Sequence, residues 1–182
     1  MKIEEQSHHR TTLLDRYKDA KKIPYRKPEG VKYLESLIVE AKRKKYPNIP
    51  VEYFVSTMYR DDTANNLIRC VIDFIGSKGW QAERISTTGR PIDRTRIVTD
   101  YLGRERTIGS IEWIPGTCTN GSADVSATIA GWSVKIEVKI NDRQSQAQKD
   151  YERSILDSEG IYYIARDFTS FLHWYNLNFS QP

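Results

Sequence analysis

Cysteine and histidine are scarce, with two and three in the whole chain. Cys70 and Cys118 have neither C-x-x-C spacing nor a neighbouring histidine, which excludes a disulfide framework and a zinc site and leaves two reduced thiols. His8 and His9 lie side by side in a polar tail, where adjacent histidines are ordinarily solvated. No run approaches the roughly 18 apolar residues of a membrane-spanning helix. The charged start MKIEEQSHHR lacks a signal peptide's apolar region, so the expected setting is cytoplasmic, with no membrane partner. Repeats and low-complexity segments are missing too. What is there is 182 residues at 38% hydrophobic content, enough for one domain plus an extension.

The net charge of +4 is unevenly spread. Residues 1–60 hold 14 Lys and Arg against 8 Asp and Glu, and residues 61–182 hold 14 against 16. Basicity therefore belongs to an N-terminal extension, 1–60, in which Tyr17, Tyr25 and Tyr46 are interleaved with Lys and Arg. That mixture suits phosphate contact with occasional stacking, or simply a solvated arm. Tyr33, Leu34, Leu37, Ile38 and Ala41 recur at helical spacing, predicting a helix over 30–45 that Pro47 and Pro50 end. Residues 1–28 are expected to be poorly ordered or partner-dependent.

The stretch 121–151 carries the most chemistry. Ala123, Val125, Ala127 and Ile129 alternate with polar residues, and Val134, Ile136 and Val138 alternate with Lys135, Glu137 and Lys139, predicting two half-buried strands. Only Ala130 and Gly131 separate their apolar ends, so a tight hairpin joins them. Pairing Ile129 with Trp132 then opposes Val125 to Ile136 on the core face and Asp124 to Glu137 on the other. Opposed like charges repel by about 0.2–1 kcal/mol. A divalent cation between them would offset that, since Mg²⁺ is held by one or two carboxylates with waters and phosphate oxygens. Lys139, two residues on, shares the face. The plainer alternative is a solvated polar face of an ordinary sheet. Next, Ser145 and Gln148 form an S-x-x-Q capping box opening a helix that runs past Ile155 and Leu156.

Asp124, Glu137-Val138-Lys139 and Gln148 together resemble the PD-(D/E)XK nuclease superfamily. The G-x-A-D, I-E-V-K and S-x-x-Q elements are most similar to the VRR-NUC (virus-type replication-repair nuclease) branch, particularly its small phage-encoded members, over about residues 63–175. The resemblance implies catalytic roles for Asp124, Glu137, Lys139 and Gln148, and Mg²⁺ or Mn²⁺ on Asp124, Glu137 and the Val138 carbonyl. It also implies DNA, duplex or branched, as partner and a bacterial or phage-infected host cytoplasm as setting. Many relatives carry an acid near the start of the first helix, where this chain reads Thr63-Ala64-Asn65-Asn66. Asn65 is the auxiliary candidate there, offering a neutral oxygen or holding a water.

Around this centre the rest of the domain, 61–182, falls into place. Asp61-Asp62-Thr63 is an N-cap cluster before an apolar stripe of Leu67, Ile68, Val71, Ile72 and Ile75, and Asp73 is expected on a solvated face. A strand is predicted at 81–85, a loop at 86–96, an extended stretch at 107–114, a continuous apolar strand at 161–165 suited to the sheet centre, and an aromatic core helix from Phe168. Arg84, Arg90, Arg94 and Arg96 are candidate phosphate contacts or else scattered surface arginines. Arg104 and Arg106 extend the same track. The small residues 115–121 would let a backbone or phosphate approach closely. The expected fold is α/β, a restriction-endonuclease-like sandwich with a central mixed sheet flanked by helices, behind a basic helical extension. The expected function is a metal-dependent DNA endonuclease, with a homodimer favoured if both strands of a duplex are cut. A non-catalytic nucleic-acid-binding module on the same fold is the alternative, and an assembly protein reusing the fold a third reading.

Overall fold

A computed structural model describes residues 24–54 and 57–179. The expectations for His8, His9, Tyr17 and the rest of 1–23 lie outside the described residues. The elements run in the order α1 (Glu29–Lys45), a short 3-10 turn (Val51–Tyr53), α2 (Ala64–Ser77), β1 (Gln81–Arg84), β2 (Arg90–Asp93), β3 (Arg96–Thr99), β4 (Glu105–Ile108), β5 (Ile111–Ile114), β6 (Val125–Ile129), β7 (Trp132–Val138), α3 (Gln146–Asp157), β8 (Ile161–Ala165) and α4 (Phe168–Phe179).

The architecture is mixed α/β, with a four-stranded sheet in the order β1-β6-β7-β8. The first two pairings are antiparallel and β7 with β8 is parallel, so α3 is the crossover between them. The hairpin register is the expected one, Val125 opposite Ile136, Ala127 opposite Val134 and Ile129 opposite Trp132. Its two-residue turn has φ of 51° at Ala130 and 87° at Gly131, the pair of positive angles that a right-twisted hairpin requires.

One face of the sheet carries the core. Val125, Ala127 and Ile129 from β6 and Val134, Ile136 and Val138 from β7 are buried with Leu67, Val71, Phe74 and Ile75 of α2. Thr63 caps α2 by accepting from Asn66 N at 3.3 Å. Phe74 meets the edges of Phe168, Phe171 and Tyr175 with ring centroids 5.8, 5.9 and 4.9 Å away, so the aromatic helix is core, as its composition predicts. Val31 and Leu34 of α1 are fully buried in the same cluster.

Several local expectations are corrected. Residues 24–28 are tied down: the Tyr25 hydroxyl donates to Asp61 Oδ1 at 2.7 Å and Lys27 pairs with Glu35 at 2.7 Å. Asp61 does not cap α2, because its Oδ2 accepts from Phe168 N at 3.1 Å, placing the carboxylate at the positive end of α4. Asp73 is not simply solvated, since the buried Tyr59 phenol needs an acceptor and donates to Asp73 Oδ2 at 2.6 Å. The strand at 161–165 is β8 and lies at the sheet edge rather than its centre. Its continuous apolar sequence is explained by helix contacts with α3 and α4.

The largest departure is at 86–114. Instead of a loop and one extended stretch, this segment makes a two-stranded ribbon, with β2 on β5 and β3 on β4 in one continuous register. Arg94 N donates to Ser110 O at 3.2 Å across the gap between its halves. Turn residues Tyr101 and Leu102 at its tip are 94% and 56% exposed. Arginines interrupted the apolar alternation that would have marked these strands, and a ribbon clear of the core has no need of it.

Candidate active site

Asp124 stands one step before β6, so the register that opposes Val125 to Ile136 brings it opposite Glu137. Lys139 N donates to Ala165 O at 2.9 Å. The peptide of Lys139 therefore faces β8, and by alternation that of Val138 faces β6. There the regular ladder stops. Val138 N donates instead to Asp124 Oδ2 at 2.9 Å, which leaves the Val138 carbonyl on the same side of β7, beside Asp124.

Glu137 is 1% exposed and Lys139 8%. Lys139 Nζ is 3.1 Å from Glu137 Oε1 and 3.0 Å from Asp142 Oδ2. Gln148 completes the group through its position in the first turn of α3. Its Oε1 accepts from Ser145 N at 2.9 Å as half of a capping box, and its Nε2 donates to Glu137 Oε1. The predicted capping box is therefore formed, and it fixes the amide that reaches Glu137. Gly121 makes this placement possible: its φ is +82°, and a Cβ there would lie 2.3 Å from Ala147 O. The close approach expected at 115–121 is thus taken up by the chain's own helix.

Burial pushes the Glu137 carboxyl above its ordinary range, the Lys139 hydrogen bond opposes that, and the charge of Asp124 adds to the upward shift. Burial disfavours the Lys139 ammonium, but its hydrogen bonds to Asp142 and Glu137 outweigh this and raise its pKa, so it is charged at neutral pH. Asp142, held low by the Lys139 hydrogen bond, escaped the sequence reading. Its signal was its spacing, three residues beyond Lys139 in the turn after β7. Tyr162 was also missed. It pairs in register with Lys135, on the Glu137 face, and burial and then the Glu137 charge raise its phenol.

Two buried side-chain atoms are without a hydrogen-bond partner among the described residues, the Tyr162 hydroxyl and one oxygen of Glu137. Among the described residues no hydrogen-bond donor reaches Glu137 Oε2. A buried carboxylate oxygen without a donor costs about 1–3 kcal/mol or more, and a cation is the partner that chemistry would supply. Among the described residues no group of three or more His, Cys, Asp or Glu is arranged to hold a metal. Asp124, Glu137 and the Val138 carbonyl nevertheless fit Mg²⁺, which takes one or two carboxylates and fills its shell with water and substrate oxygen.

The remaining candidates lie elsewhere. Asn65, in the first turn of α2, accepts from Arg84 Nη2 at 2.8 Å. Arg84 is opposed to Val125, so both belong to the α2 face of the sheet, across from Glu137 and Lys139. Arg90, Arg94 and Arg96 are on the ribbon, whose root approaches the site: Thr87, Gly116 and Cys118 line a 350 Å³ cavity together with Gly121, Ser145 and Gln148. Among the described residues no helix is long and apolar enough to cross a membrane. Compared with known proteins, the chain matches no family model, no curated protein and no solved structure.

Proposed function

We propose that this chain is a Mg²⁺- or Mn²⁺-dependent DNA endonuclease built on a restriction-endonuclease-like fold, as its resemblance to PD-(D/E)XK nucleases implies. The observation that carries the reading is Glu137: a buried carboxylate facing Asp124, with one oxygen bound by Lys139 and Gln148 and the other without a donor. Asp124, Glu137 and the Val138 carbonyl would hold the ion. Bound there, it supplies Lewis-acid polarisation of the scissile phosphate and a lowered pKa for a coordinated water. Lys139 contributes a fixed positive charge where negative charge develops in phosphodiester hydrolysis. Gln148, locked by its capping box, orients the Glu137 carboxylate, and Asp142 holds the lysine in place from the other side.

The test is incubation of supercoiled plasmid with the protein in Mg²⁺, in Mn²⁺ and in EDTA. Nicked or linear product with either ion and none in EDTA is the expected result. Intact plasmid under all three conditions removes the enzyme reading.

A second reading has its own observation. Asn65, which stands where many of the resembled nucleases carry an acid, bonds Arg84 on the α2 face of the sheet and so gives the Glu137 site no further ligand. A nucleic-acid-binding module that keeps the fold without turnover fits that pairing, and a salt-dependent gel shift without cleavage would identify it.

A further inference from the structure

The ribbon separates its charges by face. In the half nearer the body, Arg90 and Ile92 are opposed to Ile114 and Glu112, whereas Pro91 and Asp93 are opposed to Trp113 and Ile111. In the outer half Arg96 and Val98 are opposed to Ile108 and Arg106, whereas Ile97 and Thr99 are opposed to Thr107 and Glu105. Directly opposed residues share a face and neighbours along a strand do not. Arg96 and Arg106 therefore share a face in the outer half, and counted along the register that the halves share through Arg94 and Ser110, with Gly109 at φ 90° between them, Arg90 belongs to the same set and the acids Asp93 and Glu105 to the other. Glu112 is the acid in the arginine set, and it is paired with Arg94. Among the described residues Arg90, Arg96 and Arg106 enter no ion pair.

Such sorting has no use within the fold, because the ribbon stands away from the core and all three side chains are exposed. Each strand of the ribbon follows a path of roughly 30 Å, and a two-stranded ribbon is one of the shapes the major groove of duplex DNA admits. Its root meets the cavity lined by Ser145 and Gln148, and Gln148 is bonded to Glu137, so the ribbon begins beside the candidate site. The geometry points to the ribbon as the element that selects duplex DNA, its Arg90, Arg96 and Arg106 face lying against the phosphates that border the groove. This deepens the nucleic-acid reading above and rests on it, but it does not depend on cleavage.

Binding is measured in EDTA by fluorescence anisotropy, with the full chain and a short labelled duplex or its single strand, over a range of salt. Each phosphate neutralised contributes about 0.9 to the slope of log affinity against log salt on a duplex. Arg90→Ala/Arg96→Ala/Arg106→Ala is expected to flatten the duplex slope by about 3 and to weaken duplex binding about tenfold or more. The wild type is expected to prefer duplex over single strand, and the variant to lose that preference. Circular dichroism of the variant should match the wild type, since the replaced side chains touch nothing in the core. An unchanged duplex slope, or equal losses on duplex and single strand, overturns the proposal. If the variant loses duplex binding while the wild type cuts no DNA under any ion, the ribbon inference stands and the enzyme reading alone fails.

Discussion

Gln148 and Glu137 are joined across the sheet-helix boundary: the Gln148 side-chain amide donates to Glu137 Oε1 while its oxygen closes the first turn of α3. One residue thus performs a folding task and a positioning task. Gln148→Glu keeps the capping box, because Glu serves at that position as well as Gln, but it sets a further carboxylate against Glu137. The metal-free variant should be destabilised at neutral pH and recover as acid protonates the pair. Gln148→Ala should cost about 1–3 kcal/mol at any pH, from the lost cap and the lost bond to a charged group. Urea titrations at two pH values distinguish the patterns.

Lys139 is the only cation bonded to the buried Glu137 among the described residues. Lys139→Met leaves that carboxylate uncompensated, and breaking a buried pair from one side costs about 3–5 kcal/mol. Adding Glu137→Gln should restore much of the loss, so a double-mutant cycle in urea reports strong coupling. Additive losses would show that the pair is effectively solvated. If the enzyme reading holds, Lys139→Met should also slow single-turnover cleavage by about 10²–10³ while Mn²⁺ still binds by calorimetry.

Gly121 links the loop before β6 to the start of α3. Gly121→Ala forces a Cβ against the Ala147 carbonyl at a backbone angle that costs a non-glycine residue about 1–2 kcal/mol before any clash. The expected outcome is a loss above about 2 kcal/mol, together with weaker Mn²⁺ binding as Gln148 withdraws from Glu137. Gly131→Ala, at a turn with open space around it, should lose stability without changing Mn²⁺ affinity.

Cys70 makes a pH prediction. Burial pushes its thiol up to about 12, with the charges of Asp61 and Asp73 adding to the shift. The unfolded chain ionises this thiol near pH 8.5 and the folded chain does not, so the stability it contributes is complete below that value and is lost as pH rises toward 12. Between about pH 9 and 10 the wild type should lose stability more steeply than Cys70→Ala, by up to about 1.4 kcal/mol per pH unit. Denaturant midpoints across that range measure it. Under native conditions a thiol reagent should modify exposed Cys118 and spare Cys70.

The hairpin and the capping box were legible because each is specified locally. Two residues between alternating runs fix the register, and a register fixes which side chains meet. That reasoning carried Asp124 to Glu137 and Lys139, and the helix start carried Gln148. Tyr162 was not legible, since its place depends on the parallel partner strand, which local periodicity does not encode, and Asp142 offered only its spacing from Lys139. The ribbon was half visible for a related reason: 107–114 read as extended, but the partner strands bury almost nothing, so the arginines and threonines of 86–96 read as loop. Asn65 shows the reverse, a position given by the helix start whose partner, Arg84, only the register of β1 on β6 brings near.

The central claim is tested most directly by single-turnover cleavage of an end-labelled duplex and a branched DNA in Mn²⁺, with the wild type beside Asp124→Asn. Asparagine nearly preserves the shape of Asp124 and removes the charge facing Glu137, so the variant should fold and lose metal affinity. The account predicts product from the wild type on at least one substrate, none in EDTA, and none from Asp124→Asn over the time in which the wild type finishes. Equal rates from the two proteins, or no product from the wild type with either DNA, would contradict it.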